Sequence, residues 1–407
     1  MPALFRPALP IPAPLRGSDP GSFAYKTITE RLPRIGRRVI EENAFAPDVV
    51  GRLRALLAEI PAGKIRLLQD EQAPDAADWE AYVTPHLGQN WLQVQWFFAE
   101  TYFYRRILEA TGFFVEGDGF QVDPFRPHKE ETLKASEAQV RDLAQRLAGW
   151  QARIEEAAVL REALAQALWG NQGDLSMWPG GGGEMPSHDD EGEAQEHVLA
   201  DDRDEALAYL AGRRDEDARI DIIADNAGLE LAGDLALVDV LLGGSWAGMV
   251  ILDVKFHPTF VSDTVPRDVR DTMRFLLGIE DAATEAWGRR LLAYADSGRL
   301  SLRQHAFWTS PLEGWEMPVD LRQTLGEATL VISKGDANYR RLLGDRHWNY
   351  TTPFAPIVSY FPSPLLALRT LKSNVAAGLE RKTVERLQAR DAEWVVSGEW
   401  GVMQFAA

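Results

Sequence analysis

The sequence predicts an α/β fold: a mostly parallel sheet with flanking helices in Rossmann-like order, plus a helical N-terminal region. Two observations carry that prediction. Up to about residue 170, apolar residues recur at three- and four-residue spacing, as in "WLQVQWFFAETYFYRRILEATG", which is the pattern of helices with one face in a core. From about residue 218, short β-rich runs alternate with helical stretches, which argues for βαβ units.

In chain order, residues 1–21 are Pro-rich, interrupted by Arg6 and Arg16, and predicted flexible; they lack the continuous apolar core of a signal peptide. Residues 22–178 form the mainly helical region, with the spacing repeated in "VGRLRALLAEI" and "SEAQVRDLAQRLAGWQARIEEAAVLREALAQALWG". Residues 179–217, opening "PGGGGEMPSHDDEGEAQEH", read as a glycine-rich and acidic loop or linker. Neither a lysine nor a capped amphipathic helix follows those glycines, as a phosphate-cradling loop requires. Residues 218–407 form the α/β domain, with strands in "RIDIIAD", "GMVILDVKF" and "ATLVISKG" and helices from about Leu229 and in "NYRRLLGD".

The formal charge of −18, from 43 basic and 61 acidic residues, argues against nucleic-acid or anionic-membrane partners, so an anionic ligand needs a local basic cluster. Cys is absent, which excludes disulfides, thiolate-bound zinc and a cysteine nucleophile, and with them the Cys-dependent phosphatases. The longest apolar stretch, Leu235 to Val254, is broken by Asp239 and Asp253, so no membrane span is expected. The expected location is cytoplasmic.

Ligands of open parallel sheets bind beyond the carboxyl ends of the strands, and the unusual polar residues fall there. One strand ends at Asp225 and Asn226, and the next leads to Asp263 in "KFHPTFVSDT". If those strands are neighbours, three oxygen ligands reach one point, which suits a hard divalent ion such as Mg²⁺ or Mn²⁺. Taken singly, "DN" after a strand also reads as a turn or helix cap. A third strand ends at Lys334, beside Gly335 and ahead of Arg340 and Arg341. It reads as a phosphate grip at a helix N-terminus or as solvated surface charge. Arg369 and Lys372 in "LALRTLKSN" share a face if that stretch is helical, and otherwise belong to an ordinary basic surface. His257 lies in the same region, as an orienter of the Asp263 loop or a structural histidine, and stays outside the catalytic set.

The ordered motifs "WFFAETYFYRRI", "ALWGNQGDLS", "DNAGLEL", "KFHPTFVSDT", "KGDANYRRLLGD" and "RTLK" span most of the chain. Together they resemble the metal-dependent damage-control phosphatases of the sugar-phosphate subfamily with its RTxK motif, a family also described as acidic-residue protein methyltransferases. The resemblance implies that Asp225, Asn226 and Asp263 are metal ligands, with Asp225 and Asp263 catalytic, and that Glu230 is an acidic substrate contact. It places Asp336, Asn338, Tyr339, Arg340 and Lys372 in substrate-binding segments, with Asp225 and Asn226 also near substrate. Lys334 is added from its placement alone. Glu100, Asn171 and Asp174 lie in matching motifs without an assigned role.

The function so implied is hydrolysis of small sugar phosphates, fructose 1-phosphate-like, in metabolite damage control. The divalent metal is Mn²⁺ foremost, with Ni²⁺, Co²⁺ or Mg²⁺ as alternatives. Lys372, Lys334 and Arg340 would neutralise the phosphoryl oxygens, and either water or Asp225 attacks phosphorus. Two rivals stand beside this reading. One is carboxyl methyl transfer from S-adenosylmethionine, although "DNAGLELAGD" has a single glycine before its helix; the other is a non-catalytic sugar-phosphate sensor.

Overall fold

The computed structural model describes residues 5–151, 153–170, 197–214 and 217–407. Asn171, Asp174 and the glycine run with its acidic continuation to residue 196 lie outside the described residues. Seven strands, β1 (Val198–Asp201), β2 (Arg219–Ile223), β3 (Met249–Lys255), β4 (Leu300–His305), β5 (Leu330–Lys334), β6 (Leu365–Thr370) and β7 (Gly401–Ala406), form one sheet. Their order is β1-β7-β6-β5-β2-β3-β4. Strands β6, β5, β2, β3 and β4 are mutually parallel. β7 runs antiparallel to β6, and β1 pairs parallel with β7.

The central strands are apolar on both faces because both faces are covered. Ile220, Ile222, Val250, Leu252 and Ile332 pack into one core with the helices Glu137–Gln151, Glu156–Trp169 and Leu229–Gly243. Ile223 and Val331 point the other way, into a second core with the helix Trp96–Thr111 and the rest of the N-terminal helices. Each such aliphatic side chain contributes about 1.5–3 kcal/mol on burial. The helix Leu229–Gly243 is buried nearly all round, since helices cover the side that the sheet does not, which is why its sequence shows so little amphipathicity. The helix Trp96–Thr111 is buried along most of its length and stops at Gly112, whose φ of 74° gives the left-handed C-terminal cap.

Two parts of the chain depart from the sequence expectation. Within 179–217, the residues Val198–Asp201 form edge strand β1 and Arg203–Ala211 a helix; a four-residue strand paired only to β7 leaves no readable period in the sequence. The segment 5–21, expected flexible, is pinned: Ala8 N–H donates to Pro356 O (2.9 Å), Leu15 N–H to Asp345 O (2.9 Å), and Leu15 O accepts from Trp96 N–H (2.9 Å). Prolines remove backbone donors, so few bonds satisfy such a strap.

From β2 the chain proceeds to β3 and β4 on one side, then returns to β5 on the other. The carboxyl ends of β2 and β5 therefore flank the topological switch point, where open α/β sheets open a crevice.

Candidate active site at the carboxyl edge of the sheet

Asp225 follows β2 by two residues, and Gly335 follows β5 directly. A Cβ on Gly335 would stand 1.9 Å from Asp225 Oδ2, and Gly335 has a φ of 83°, so only glycine admits this approach. The segment after β2 pairs with the loop after β3, which brings Asn226 opposite Asp263. Asn226 Nδ2 donates to Asp225 Oδ2 (2.9 Å) and to Glu230 Oε2 (2.8 Å), while Ser262 Oγ donates to Asn226 Oδ1 (2.5 Å). The residues expected from two strand ends thus meet at one point, with Glu230 beside them.

These carboxylates are buried, and among the described residues Asp225 Oδ1 and Asp263 Oδ2 accept no hydrogen bond. Burial, then repulsion by Glu230 and Asp263, pushes the Asp225 carboxyl well above its ordinary range. Burial pushes Asp263 up to about 6 against the pull of Lys255. Buried acceptors crowded by like charge are costly unless a cation joins them; the Lys255 ammonium, 3.3 Å from Asp263 Oδ2, offsets part of that cost at Asp263, and no side-chain ion pair joins Asp225 among the described residues. The donors are all oxygen, which fits a hard divalent ion. Among the described residues no three His, Asp or Glu groups are arranged to hold a metal by themselves, and the Asn226 amide turns its Nδ2 to Asp225 and Glu230, with Oδ1 taken by Ser262.

Sequence reasoning missed Lys255, the last residue of β3. Its Nζ lies 3.3 Å from Asp263 Oδ2, without hydrogen-bond alignment, and donates to Asn338 Oδ1 at 3.0 Å. The available signal was a lysine ending an apolar strand, the same signal that singled out Lys334. Lys334 itself is buried and donates to Asp234 Oδ1 at 2.6 Å, with Glu230 Oε1 3.5 Å away, so its charge is engaged below the crevice.

Asn338 Nδ2 donates to Ala224 O (3.1 Å) and Lys334 O (2.8 Å), tying the helix Asp336–Leu342 to the end of β2. Asp336 accepts from Arg369 Nε (2.8 Å) and from Ser373 Oγ (3.0 Å). Burial would raise its pKa, but Arg369 and Arg340 hold it below the ordinary value. The Tyr339 hydroxyl donates to Gln404 Oε1 (2.7 Å), and the Arg369 guanidinium lies 4.4 Å from its ring centre. Arg340 is paired with Glu100 (2.5 Å) and Asp345 (2.8 Å) and stacked 3.6 Å over Trp96, which gives Glu100 its place in the fold.

"LALRTLKSN" is not helical. Arg369 sits in β6 between two neighbouring strands and is buried, and Lys372 follows in the loop, so a shared helix face does not arise. Lys372 is partly exposed. Of Lys255, Lys334, Arg340, Arg369 and Lys372, it is the one whose charged group has no ion pair or hydrogen bond among the described residues. His257 is buried, with Nδ1 3.0 Å from Pro258 O and Nε2 facing Asp75 Oδ2 at 3.7 Å, away from the carboxylate cluster.

A profile of the damage-control phosphatase ARMT1-like domain matches residues 27–387. The chain belongs to this family. Damage-control phosphatase ARMT1 of Danio rerio is 31% identical over 437 residues, covering 97% of each chain. The Homo sapiens protein of that name is 30% identical over 443 residues, covering 97% of this chain and 98% of its own. A solved DUF89-family structure from Pyrococcus horikoshii aligns with a TM-score of 0.48 and 15% identity, over 92% of this chain and 95% of that one. Membership in the ARMT1-like family supports a phosphatase acting on a small phosphorylated substrate, and the mostly parallel sheet predicted from sequence is the one observed. No described helix is long and apolar enough to cross a membrane.

Proposed function

We propose that the chain is a metal-dependent phosphomonoester hydrolase acting on small sugar phosphates of the fructose 1-phosphate kind, in metabolite damage control. The observation that carries this reading is the pair of buried oxygens Asp225 Oδ1 and Asp263 Oδ2, which accept no hydrogen bond among the described residues, with the partly exposed Lys372 at the same carboxyl edge of the sheet. Asp225, Asn226 and Asp263 would hold a divalent cation, Mn²⁺ foremost, which when bound supplies Lewis acidity and an acidified water.

The chain's own groups do the rest. Lys372 binds the phosphate dianion. Lys255 keeps the Asp263 carboxylate charged and fixed. Glu230 and Asp336 offer acceptors to sugar hydroxyls, and Asn338 fixes the helix after β5 against the end of β2. Lys334, Arg340 and Tyr339 act beneath this layer, holding Asp234, Glu100 with Asp345, and Gln404.

The test is phosphate release from a panel of sugar phosphates by chelated protein resupplied with Mn²⁺, Co²⁺, Ni²⁺ or Mg²⁺ in turn. Release that requires metal and favours ketose 1-phosphates is expected. Full release under chelation overturns the metal assignment, and saturable binding without release under every metal overturns the catalytic one.

A further inference from the structure

β2 and β3 run parallel, with Ile223 beside Asp253. Yet Asn226, three residues further on, faces Asp263 in an antiparallel bridge. The bridge is closed by Ala227 N–H donating to Ser262 O and Thr264 N–H donating to Asp225 O, both at 2.7 Å. A parallel pair becomes antiparallel only if one chain turns back, and the β3 side carries the extra residues to do so. Part of that turn is made at Phe260 and Val261, whose φ angles are 47° and 71°. Left-handed backbone is unfavourable for any residue with a Cβ and most so for a β-branched one, whereas glycine adopts it freely.

Such a conformation persists only where its surroundings over-determine it. Two contacts do that here. The Phe260 ring packs 5.0 Å from Tyr104 and 6.0 Å from Phe97, both on the helix Trp96–Thr111. Buried Lys129, on the helix Arg126–Ala135, donates to Asp263 O at 2.8 Å, its charge balanced by Asp268 (2.8 Å) and Asp123 (3.1 Å).

We propose that Phe260 and Lys129 are positioning residues: they hold the strained reversal at Phe260–Val261 closed and so keep Asp263 against Asp225 and Asn226. Its consequence for metal affinity rests on the metal-site reading above; the docking of the loop does not. With either contact removed, the segment relaxes towards ordinary backbone and Asp263 withdraws.

The test uses the full chain and two measurements, amide hydrogen exchange at Ala227 and Thr264 in metal-free protein and calorimetric Mn²⁺ binding. Phe260→Ala and Lys129→Met are each expected to speed exchange at both amides and weaken Mn²⁺ binding by about ten-fold, with exchange in the middle of β2 and β5 unchanged. Adding Val261→Gly should recover most of both effects, because glycine removes the reason for opening; lost core packing or lost charge pairing alone would not be recovered this way. Unchanged exchange in the single variants overturns the proposal, as does failure of Val261→Gly to rescue. Should wild type bind no Mn²⁺, the metal reading fails while the exchange data still decide the positioning one. If one variant does not fold, the other carries the test.

Discussion

Lys255 Nζ lies 3.3 Å from Asp263 Oδ2, and both side chains are shut away from solvent. The same ammonium reaches Asn338, so one cation at the end of β3 links the carboxylate loop to the helix after β5. Removing one partner of a buried pair leaves an uncompensated charge and costs about 3–5 kcal/mol. Lys255→Met should lower the melting temperature of metal-free protein, and Mn²⁺ should recover part of the loss by supplying positive charge at the same carboxylate. Calorimetric melts with and without Mn²⁺ read both; an equal loss in the two would show that Lys255 and the cation do not share Asp263.

The donorless oxygens of Asp225 and Asp263 make a second prediction independent of substrate. A ligand that binds only the folded chain at 100 times its Kd stabilises it by about 2.7 kcal/mol. Saturating Mn²⁺ should raise the melting temperature of wild type, and Asp263→Ala should abolish that rise together with phosphate release. A rise that survives in Asp263→Ala would place the cation elsewhere.

Arg340 makes a contrasting case. The resemblance places it in a substrate-binding segment, but its guanidinium is occupied by Glu100 and Asp345 and stacked on Trp96. Arg340→Met should destabilise the chain by about 3–5 kcal/mol in urea unfolding, through two buried carboxylates left unpaired. Under conditions where the variant stays folded, its KM should change by less than that of Lys372→Met.

What the sequence showed and what it hid follow from the range of the interactions. β2 and the polar turn after it were legible because a short apolar run ending in Asp225 and Asn226 is a local pattern. The meeting with Asp263 was legible because consecutive parallel strands tend to be neighbours. The fate of Lys334 was not, since Asp234, which neutralises it, lies 100 residues away on the buried face of a helix. Lys255 was passed over because its role appears only once Asp263 and Asn338 converge on it. β6, β7 and β1 were hidden for a related reason: β1 and β7 pair across about 200 residues, and the three-residue spacing of Arg369 and Lys372 left open whether "RTLK" is helical, while pairing with β7 makes its first two residues the end of a strand.

Acid stability should carry the mark of His257. Burial holds its imidazole down to about 4, more strongly than nearby Asp75 raises it, so it is neutral in the folded chain. The unfolded chain takes up that proton near pH 6.5. The stability from this depressed pKa is therefore complete above pH 6.5 and is lost as pH falls towards 4, by about 3 kcal/mol in all. His257→Leu, which cannot titrate, should show a flatter decline over that window than wild type in denaturant melts at stepped pH. Parallel declines would mean that His257 titrates normally.

The last prediction separates two lysines that look alike in sequence. Lys334 ends β5 and Lys372 follows β6 by two residues, yet Lys334 is buried against Asp234, whereas Lys372 is partly exposed and its ammonium has no partner among the described residues. The Lys372 N–H lies 3.4 Å from Asp336 Oδ1, which sets the residue beside the helix after β5, and its charge pulls the Asp225 carboxyl down through space. A charge-assisted contact to phosphate is worth roughly 1.5–3 kcal/mol, so Lys372→Met should lower kcat/KM by about 10- to 150-fold. Its melting temperature and Mn²⁺ affinity should stay near wild type, because no ion pair is broken. Lys334→Met should do the reverse: a large loss of stability, from Asp234 left charged in the core, before any specific effect on turnover. Kinetics and melts on the two variants side by side decide the matter. Wild-type kinetics in Lys372→Met on every hydrolysed sugar phosphate would show that this ammonium does not hold the substrate and that the phosphate docks elsewhere on the carboxyl edge.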